Sequence, residues 1–345
     1  MGQALKGKAL KFTLLALAVV ALFVAELAYG SVSIPIGKII SAPVNPDGDP
    51  VTWKILSLIR FPRAVTALLA GAALSMSGLQ MQTLFRNPMA GPSVLGVTAG
   101  ATLGVAFVML ASGYVPTALA VSHLGVSGAS VLVLAASVGA GLLAFLVAGM
   151  AAKVRDQVVL LIIGMMIGQL AVALVSVWQY FSEADKVKEF ILWTFGSLGG
   201  VTLEQLPIFA GFVLVAMVLS FGFAKNLNGL ALGEDYARSM GFRVERNRTV
   251  IILVNGLLVG CVTAFCGPVG FVGVAVPHVA RAVFGTENHR VLMPASALLG
   301  MAILLLCDRV AHWPGADGVL PINAVTSLIG APVVIRVILK SRGRR

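Results

Sequence analysis

VVLLIIGMMIGQLAVALVSVWQY, residues 158–180, carries no charged side chain. Wound as a helix at about 1.5 Å per residue, it is long enough to cross the hydrocarbon core of a bilayer. Blocks of the same kind recur at Phe12–Tyr29, Ala64–Leu84, Val94–Leu110, Val126–Met150, Leu206–Phe223, Thr249–Phe265, Phe271–Phe284, Val291–Leu306 and Leu320–Leu339. Together these make ten expected spans, the one at Phe271 being short. The whole chain of 345 residues is 58% hydrophobic and 11% charged, with a mean hydropathy of +0.97. A soluble domain carries about twice that share of charge. The fold class is therefore an all-α polytopic membrane protein. No segment is long and polar enough for a second folded unit, so residues 1–345 read as a single membrane domain.

Ten crossings put both termini on one side. Cytoplasmic loops of membrane proteins retain Lys and Arg, and that bias chooses the side. With the N-terminus inside, 18 of the 25 Lys and Arg fall in the cytoplasm; Lys38, Lys54, Arg60, Arg63, Lys186, Lys188 and Arg309 fall outside. The net charge of +11 belongs to this bias rather than to a nucleic-acid partner. The basic start, apolar run and small residues at Ala28-Tyr29-Gly30-Ser31 have the look of a secretory signal. The apolar run is long for one, however, and further spans follow, so a retained helix is expected. Outside, Ser31–Pro62 is rich in Pro and Gly and reads as a loop without chemistry of its own. Ser182–Glu189 reads as a charged cap on the fifth span, and residues 190–205 as a short helix and turn at the outer interface.

Enzyme chemistry has no constellation to stand on. The chain contains no G-x-x-x-x-G-K-[ST], no H-E-x-x-H, no paired Cys-x-x-Cys and no G-x-S-x-G. His123, His278, His289 and His312 are scattered, and Cys261, Cys266 and Cys307 lie in or beside apolar spans. Of the acids only Glu26 falls well within a span, near its outer end. Ion-coupled carriers usually keep ionisable groups in the membrane, which disfavours a secondary transporter working without partners.

One polar island, Lys225–Arg248, is patterned. Its centre is Gly233-Glu234-Asp235-Tyr236-Ala237-Arg238-Ser239-Met240-Gly241. Glu234 and Asp235 sit where a helix N-terminus favours negative charge. Glu234 and Arg238 are an i,i+4 pair in the favourable order, Tyr236 and Met240 make a small apolar stripe, and Gly241 is a C′ stop. The spacing predicts a helix of about two turns, too short to stand alone in water and suited to being gripped by another protein. Gly and Pro also interrupt several spans, at Arg86-Asn87-Pro88-Met89-Ala90-Gly91-Pro92, at Gly267-Pro268-Val269-Gly270-Phe271 and at Val276-Pro277-His278. Such breaks are tolerated where protein or a water-filled cavity satisfies the freed backbone, and tight turns between packed helices are expected.

These motifs resemble, in order, those of one family. Arg60-Phe61-Pro62-Arg63, Leu69-Ala70-Gly71-Ala72-Ala73-Leu74 and Ser77-Gly78 are followed by Gln82 and Arg86–Pro92, then Leu95-Gly96-Val97. Later come Gly267–Gly273, Pro277-His278, Ala280-Arg281, Leu320-Pro321-Ile322 and Gly330-Ala331-Pro332. The set is similar to the iron-chelate and vitamin B12 permeases of binding-protein-dependent ABC importers, the type II ABC importer permease fold, over residues 55–340.

The resemblance implies a homodimer in the bacterial inner membrane with both termini cytoplasmic. Two cytoplasmic ATPase subunits would hold ATP and Mg²⁺, this chain would bind no cofactor, and a soluble or lipid-anchored binding protein would deliver an iron-siderophore, haem or cobalamin. It makes Gly233, Glu234, Asp235, Tyr236, Ala237, Arg238, Met240 and Gly241 the ATPase-coupling helix within a cytoplasmic loop, 225–248. Arg60 and Arg63 would face the binding protein, with Arg309 and His312 standing where the family often has a third basic residue. The path would run along the fifth span, where Gln169, Ser176 and Gln179 are polar and the first two share a face. The cytoplasmic gate would fall at Asp156, Gln157 and Val158, in place of the family's small hydroxyl residues.

Overall fold

The computed structural model describes residues 2–30, 32–111, 128–154, 156–312 and 318–342. His123, Arg155, Arg344 and Arg345, and the beginning of the span expected from Val126, lie outside them. In chain order the helices are α1 (Gly2–Ala28), α2 (Ile36–Ser41), α3 (Pro50–Leu84), α4 (Val97–Met109), α5 (Gly128–Ala151), α6 (Gln157–Phe181), α7 (Ala184–Thr194), α8 (Leu206–Gly222), α9 (Ala224–Ala231), α10 (Glu234–Ser239), α11 (Val244–Cys266), α12 (Val272–Phe284), α13 (His289–Ala311) and α14 (Ile322–Arg342). There is no strand among the described residues.

The ten expected spans map in order onto α1, α3, α4, α5, α6, α8, α11, α12, α13 and α14. By length and composition, α1, α3, α5, α6, α11 and α13 can each cross a bilayer alone. α8 and α9, bent by 51° at the break between them, are long and apolar enough only as a pair, while α4, α12 and the apolar part of α14 are shorter. Two loop expectations are corrected. The helical run of α3 starts at Pro50 rather than Ala64, because Asp49 caps it through Thr52 N at 3.2 Å and Pro50 fits the first turn. Lys38 anchors that cap at 2.6 Å and, with the Thr52 N–H, holds the Asp49 carboxyl down at about 2. A π turn, Ile55–Arg60, joins this outer start to the buried body of α3. Likewise Ser182 caps α6 as expected, but the helix after it, α7, already starts at Ala184 and runs through Glu189 to Thr194.

α3 is the central element, buried along nearly all of Pro62–Leu84. Apolar tails are as oily as Leu, so helices associate in a bilayer by close packing rather than by escape from water. Small residues let the backbones touch. A methyl group built on Gly78 would lie 1.7 Å from the Gly273 carbonyl oxygen of α12, and one on Gly71 would lie 2.3 Å from Gly300 O of α13. The α4–α5 seam repeats the device: a methyl group on Gly104 would lie 2.0 Å from Ala135 O. Around the interruptions several carbonyls find side-chain donors, but Val276-Pro277-His278 is no tight turn: it lies inside α12, which carries Pro277 without a break. Gln82 Nε2 donates to Val274 O at 3.1 Å, Asn255 Nδ2 to Pro92 O at 3.2 Å, and a ring nitrogen of His278 lies 2.8 Å from Pro88 O.

Replacing Gly78 by Leu drives a side chain into backbone. The expected loss is at least the ~1–3 kcal/mol typical of overpacking, read as a lower midpoint of thermal unfolding in detergent. Gly141→Ala, where nothing lies within 4 Å of the added methyl, should leave that midpoint unchanged or raise it.

Candidate functional site

Polar side chains gather at the two ends of the helix bundle. The first end carries the start of α1, the loop α9–α10 and the α12–α13 junction. Lys11 Nζ donates to Val283 O at 2.6 Å and the rings of Phe12 and Phe284 lie 4.6 Å apart. Asn228 of α9 donates to Asn288 Oδ1 at 3.0 Å and accepts from His289 N at 2.8 Å.

At this end the patterned island forms the helix its spacing predicts. Gly233, at φ +118°, turns the chain into α10, and Gly241, at φ +83°, turns it out. Both conformations favour a residue without Cβ. Ala237 is buried, while Tyr236 and Met240 are exposed at 52% and 45%, so the apolar stripe faces away from this chain. Arg238 pairs with Glu234 at 3.3 Å, as expected, and also with Asp235 at 3.2 Å and Glu245 at 3.0 Å. The hydrogen bond to Glu245 holds Arg238 above its ordinary pKa. These pairs are solvated and individually weak.

Glu234 is the centre of a second, drier network. One carboxylate oxygen accepts from Arg248 of α11, whose side chain is 1% exposed, and from Gln157 Nε2 at 2.8 Å. Arg248 also donates to Val154 O at 2.6 Å. Glu234 therefore ties α10 to α11, to the turn after α5 and to the first residue of α6. Of the expected gate residues, Gln157 joins this network and Val158 is exposed. Asp156 is the N-cap of α6, accepting from Val158 N and Val159 N at 2.7 and 3.1 Å.

The opposite end joins α1, α3 and α13. Arg60 and Arg63, expected to face outward, are instead 3% and 7% exposed. Arg60 donates to the carbonyls of Leu27 (2.6 Å) and Val32. Arg63 pairs with Glu26 and, at 3.0 Å, with Asp308. The reason is local: helix α3 begins before them, so both lie inside the bundle wall, where a guanidinium must be partnered. Arg309 is half-buried, donates to Tyr29 O at 2.6 Å and lies 5.7 Å above the Tyr29 ring. His312 caps α13, its Nδ1 3.0 Å from Asp308 O and 3.3 Å from Asp308 Oδ1.

Along α6, Gln169 and Ser176 share an exposed strip with Met165, Met166, Leu170, Val172 and Val177. Ser176 Oγ returns to Val172 O at 3.0 Å. Gln179, half-buried, lines a hollow of about 580 Å³ between α6 and α7 together with Lys188 and Phe195. Sequence reading missed Arg248 and Asp308 as network members; each is the last or nearly the last polar residue beside an apolar block, a position that reads as loop.

An all-helical unit with six helices long and apolar enough to cross a membrane among the described residues, shorter and bent ones beside them, and a small helix held out on a charged loop has the build of a transport permease. The FecCD transport family matches residues 17–340, and the chain belongs to it. It is 35% identical over 320 residues to the "Vitamin B12 import system permease protein BtuC" of Klebsiella pneumoniae subsp. pneumoniae, covering 92% of this chain and 90% of that one. It is also 35% identical over 302 residues to the "Hemin transport system permease protein HmuU" of Yersinia pestis, covering 87% and 88%. The solved structure of a metal-chelate type ABC transporter in an inward-facing conformation superposes with a TM-score of 0.82 at 31% identity, covering 95% of this chain and 98% of that one. The relatives are transport subunits, and this chain is a permease subunit rather than an enzyme.

Breaking the buried pair should cost far more than breaking an exposed one. Arg248→Met removes the buried partner of Glu234 and leaves it Gln157 and the solvated Arg238, so a loss toward the lower end of about 3–5 kcal/mol is expected, read by chemical denaturation in detergent. Asp235→Asn, whose side chain is fully exposed, should leave the curve in place. In a double replacement, Glu234→Gln with Arg248→Met should recover part of the loss.

Proposed function

We propose that two copies of this chain enclose the membrane path of an importer for a large chelate: an iron-siderophore, haem or a corrinoid. Two ATPase subunits sit under α10 on the cytoplasmic side and hold ATP and Mg²⁺; a binding protein delivers substrate to the other end. The distribution of Lys and Arg supports this orientation, with both termini cytoplasmic and bilayer lipid around the remaining faces. Similarity to permeases named for vitamin B12 and hemin supports the substrate class.

The observation that carries the reading is Glu234. A subunit that grips the exposed Tyr236 and Met240 moves α10. Because Glu234 is bonded to Arg248 and Gln157, and Arg248 to Val154, that displacement reaches the foot of α6. The exposed strip of α6 with Gln169 and Ser176 is the wall of the path, and Gln179 lies near its outer mouth. Such a weakly polar surface suits a bulky ligand that must not be held. At the outer end Arg309 and His312 meet the binding protein, with Arg63 paired to Asp308 beside them and Arg60 held by the carbonyls of Leu27 and Val32.

The test leaves the buried network intact. Tyr236→Asp with Met240→Asp should give a chain that inserts and dimerises normally. Uptake of radiolabelled substrate should fall to background, and the reconstituted complex should lose the ATPase stimulation produced by loaded binding protein. Undiminished uptake in this variant would sink the coupling role. Uptake by the chain alone in an ion gradient would overturn the importer reading itself.

A further inference from the structure

The outer cluster contains a group whose charge is not constant. His312 Nδ1 lies 3.0 Å from the Asp308 carbonyl and 3.3 Å from its carboxylate. Nδ1 therefore carries the hydrogen in the neutral ring, and Nε2 takes the second proton. Asp308 is 1% exposed, and Arg63 joins it to Glu26 on α1. The groups around the imidazole are thus Asp308 and Arg309 of α13, Arg63 of α3 and, across Arg63, Glu26 of α1. Arg60 is engaged with the carbonyls of Leu27 and Val32. Asp308 is shared between two cations, and only His312 can give its charge up. Its side chain remains 20% exposed, beside the half-buried Arg309.

We infer that His312 is a protonation-dependent contact for acidic side chains of the delivering protein, set in place by Asp308, so that docking tightens as pH falls. This rests on the outer-end docking proposed above. The Asp308 carboxylate raises the His312 pKa above its ordinary value, outweighing burial and the opposing charge of Arg63. A raised value means that the imidazolium is present below it and lost as pH rises through it. Docking charge at the outer end is accordingly greatest in mildly acidic surroundings and falls toward alkaline pH. A partner carboxylate that holds the imidazolium one pKa unit more firmly makes docking about ten-fold tighter on the acid side.

Full-length protein in nanodiscs, titrated with a deca-glutamate peptide from pH 8 to pH 6, tests this while the peptide stays ionised. Binding to the wild type should strengthen about ten-fold over that range. His312→Gln should bind weakly and without the pH slope; His312→Arg should bind tightly and equally without it. In histidine-labelled protein, the His312 ring resonance should titrate above the ordinary range, shift higher with peptide and drop in Asp308→Asn. If Arg309→Ala weakens the peptide but His312→Gln keeps the wild-type slope, the inference is overturned and the docking face stands. If neither substitution weakens the peptide, the docking face itself falls.

Discussion

Backbone contact between helices is the constraint on which this structure depends. In a bilayer no water drives apolar faces together, so helices must approach until their main chains touch. Gly78 against Gly273, Gly71 against Gly300 and Gly104 against Ala135 supply that approach in three separate seams. Once α3 is clasped by α12 and α13 on this footing, short and interrupted spans become tolerable. The turn at Arg86–Pro92 buries only its second half, Ala90–Pro92, and around it and α12 the side chains of Gln82, Asn255 and His278 meet carbonyls of Val274, Pro92 and Pro88. Without the glycine seams those donors would not reach, and the exposed backbone would be costly in lipid.

Charge is admitted to this bundle under one condition: each buried cation meets an acid or a carbonyl from another element. Arg63 takes Glu26 from α1 and Asp308 from α13; Arg248 takes Glu234 from the loop helix and a carbonyl from the turn after α5. Such pairs add little net stability, since desolvation offsets most of the attraction. Their consequence is specificity of position. A helix displaced from its place strands a charge, so α1, α11 and α10 are held to one arrangement by penalty rather than by gain. α1 needs this most, because its spanning window is only 11% buried.

What could be read from sequence follows the range of the interaction. α10 was legible because its determinants are local: a glycine on each side, and a Glu–Arg pair one turn apart. The ten apolar blocks were legible for the same reason. The outer start of α3 was hidden because Asp49-Pro50, a good helix entry, sits in a run of Pro and Gly that reads as loop. The burial of Arg60 and Arg63 was hidden with it. Glu234–Gln157 spans 77 residues and Arg63–Glu26 spans 37; nothing in either neighbourhood announces the partner. Arg248 entered the reading as one more positive-inside residue, although it is nearly the most enclosed charge in the protein.

These ranges also separate what is fixed from what can move. The spanning windows of α3 and α11 are 61% and 67% buried, that of α6 only 28%. α6 rests on the turn into α4 through Gly164 and Gly168, where an added methyl would lie about 3.2–3.3 Å from the Leu95 and Gly96 Cα atoms. That contact is looser than the seams of α3. Asp156 closes the first turn of α6 on itself, so the helix is able to shift as a unit without unravelling. Its first residue, Gln157, is bonded to Glu234 by a neutral–ionic hydrogen bond, while the ion pair of Glu234 runs to the firmly packed α11. On the proposed reading, a push on α10 would be resisted by α11 and yielded to by α6. A sparsely buried spanning helix is thus bonded to the surface helix, and on the proposed reading that ordering would let a small displacement outside the membrane become a displacement within it.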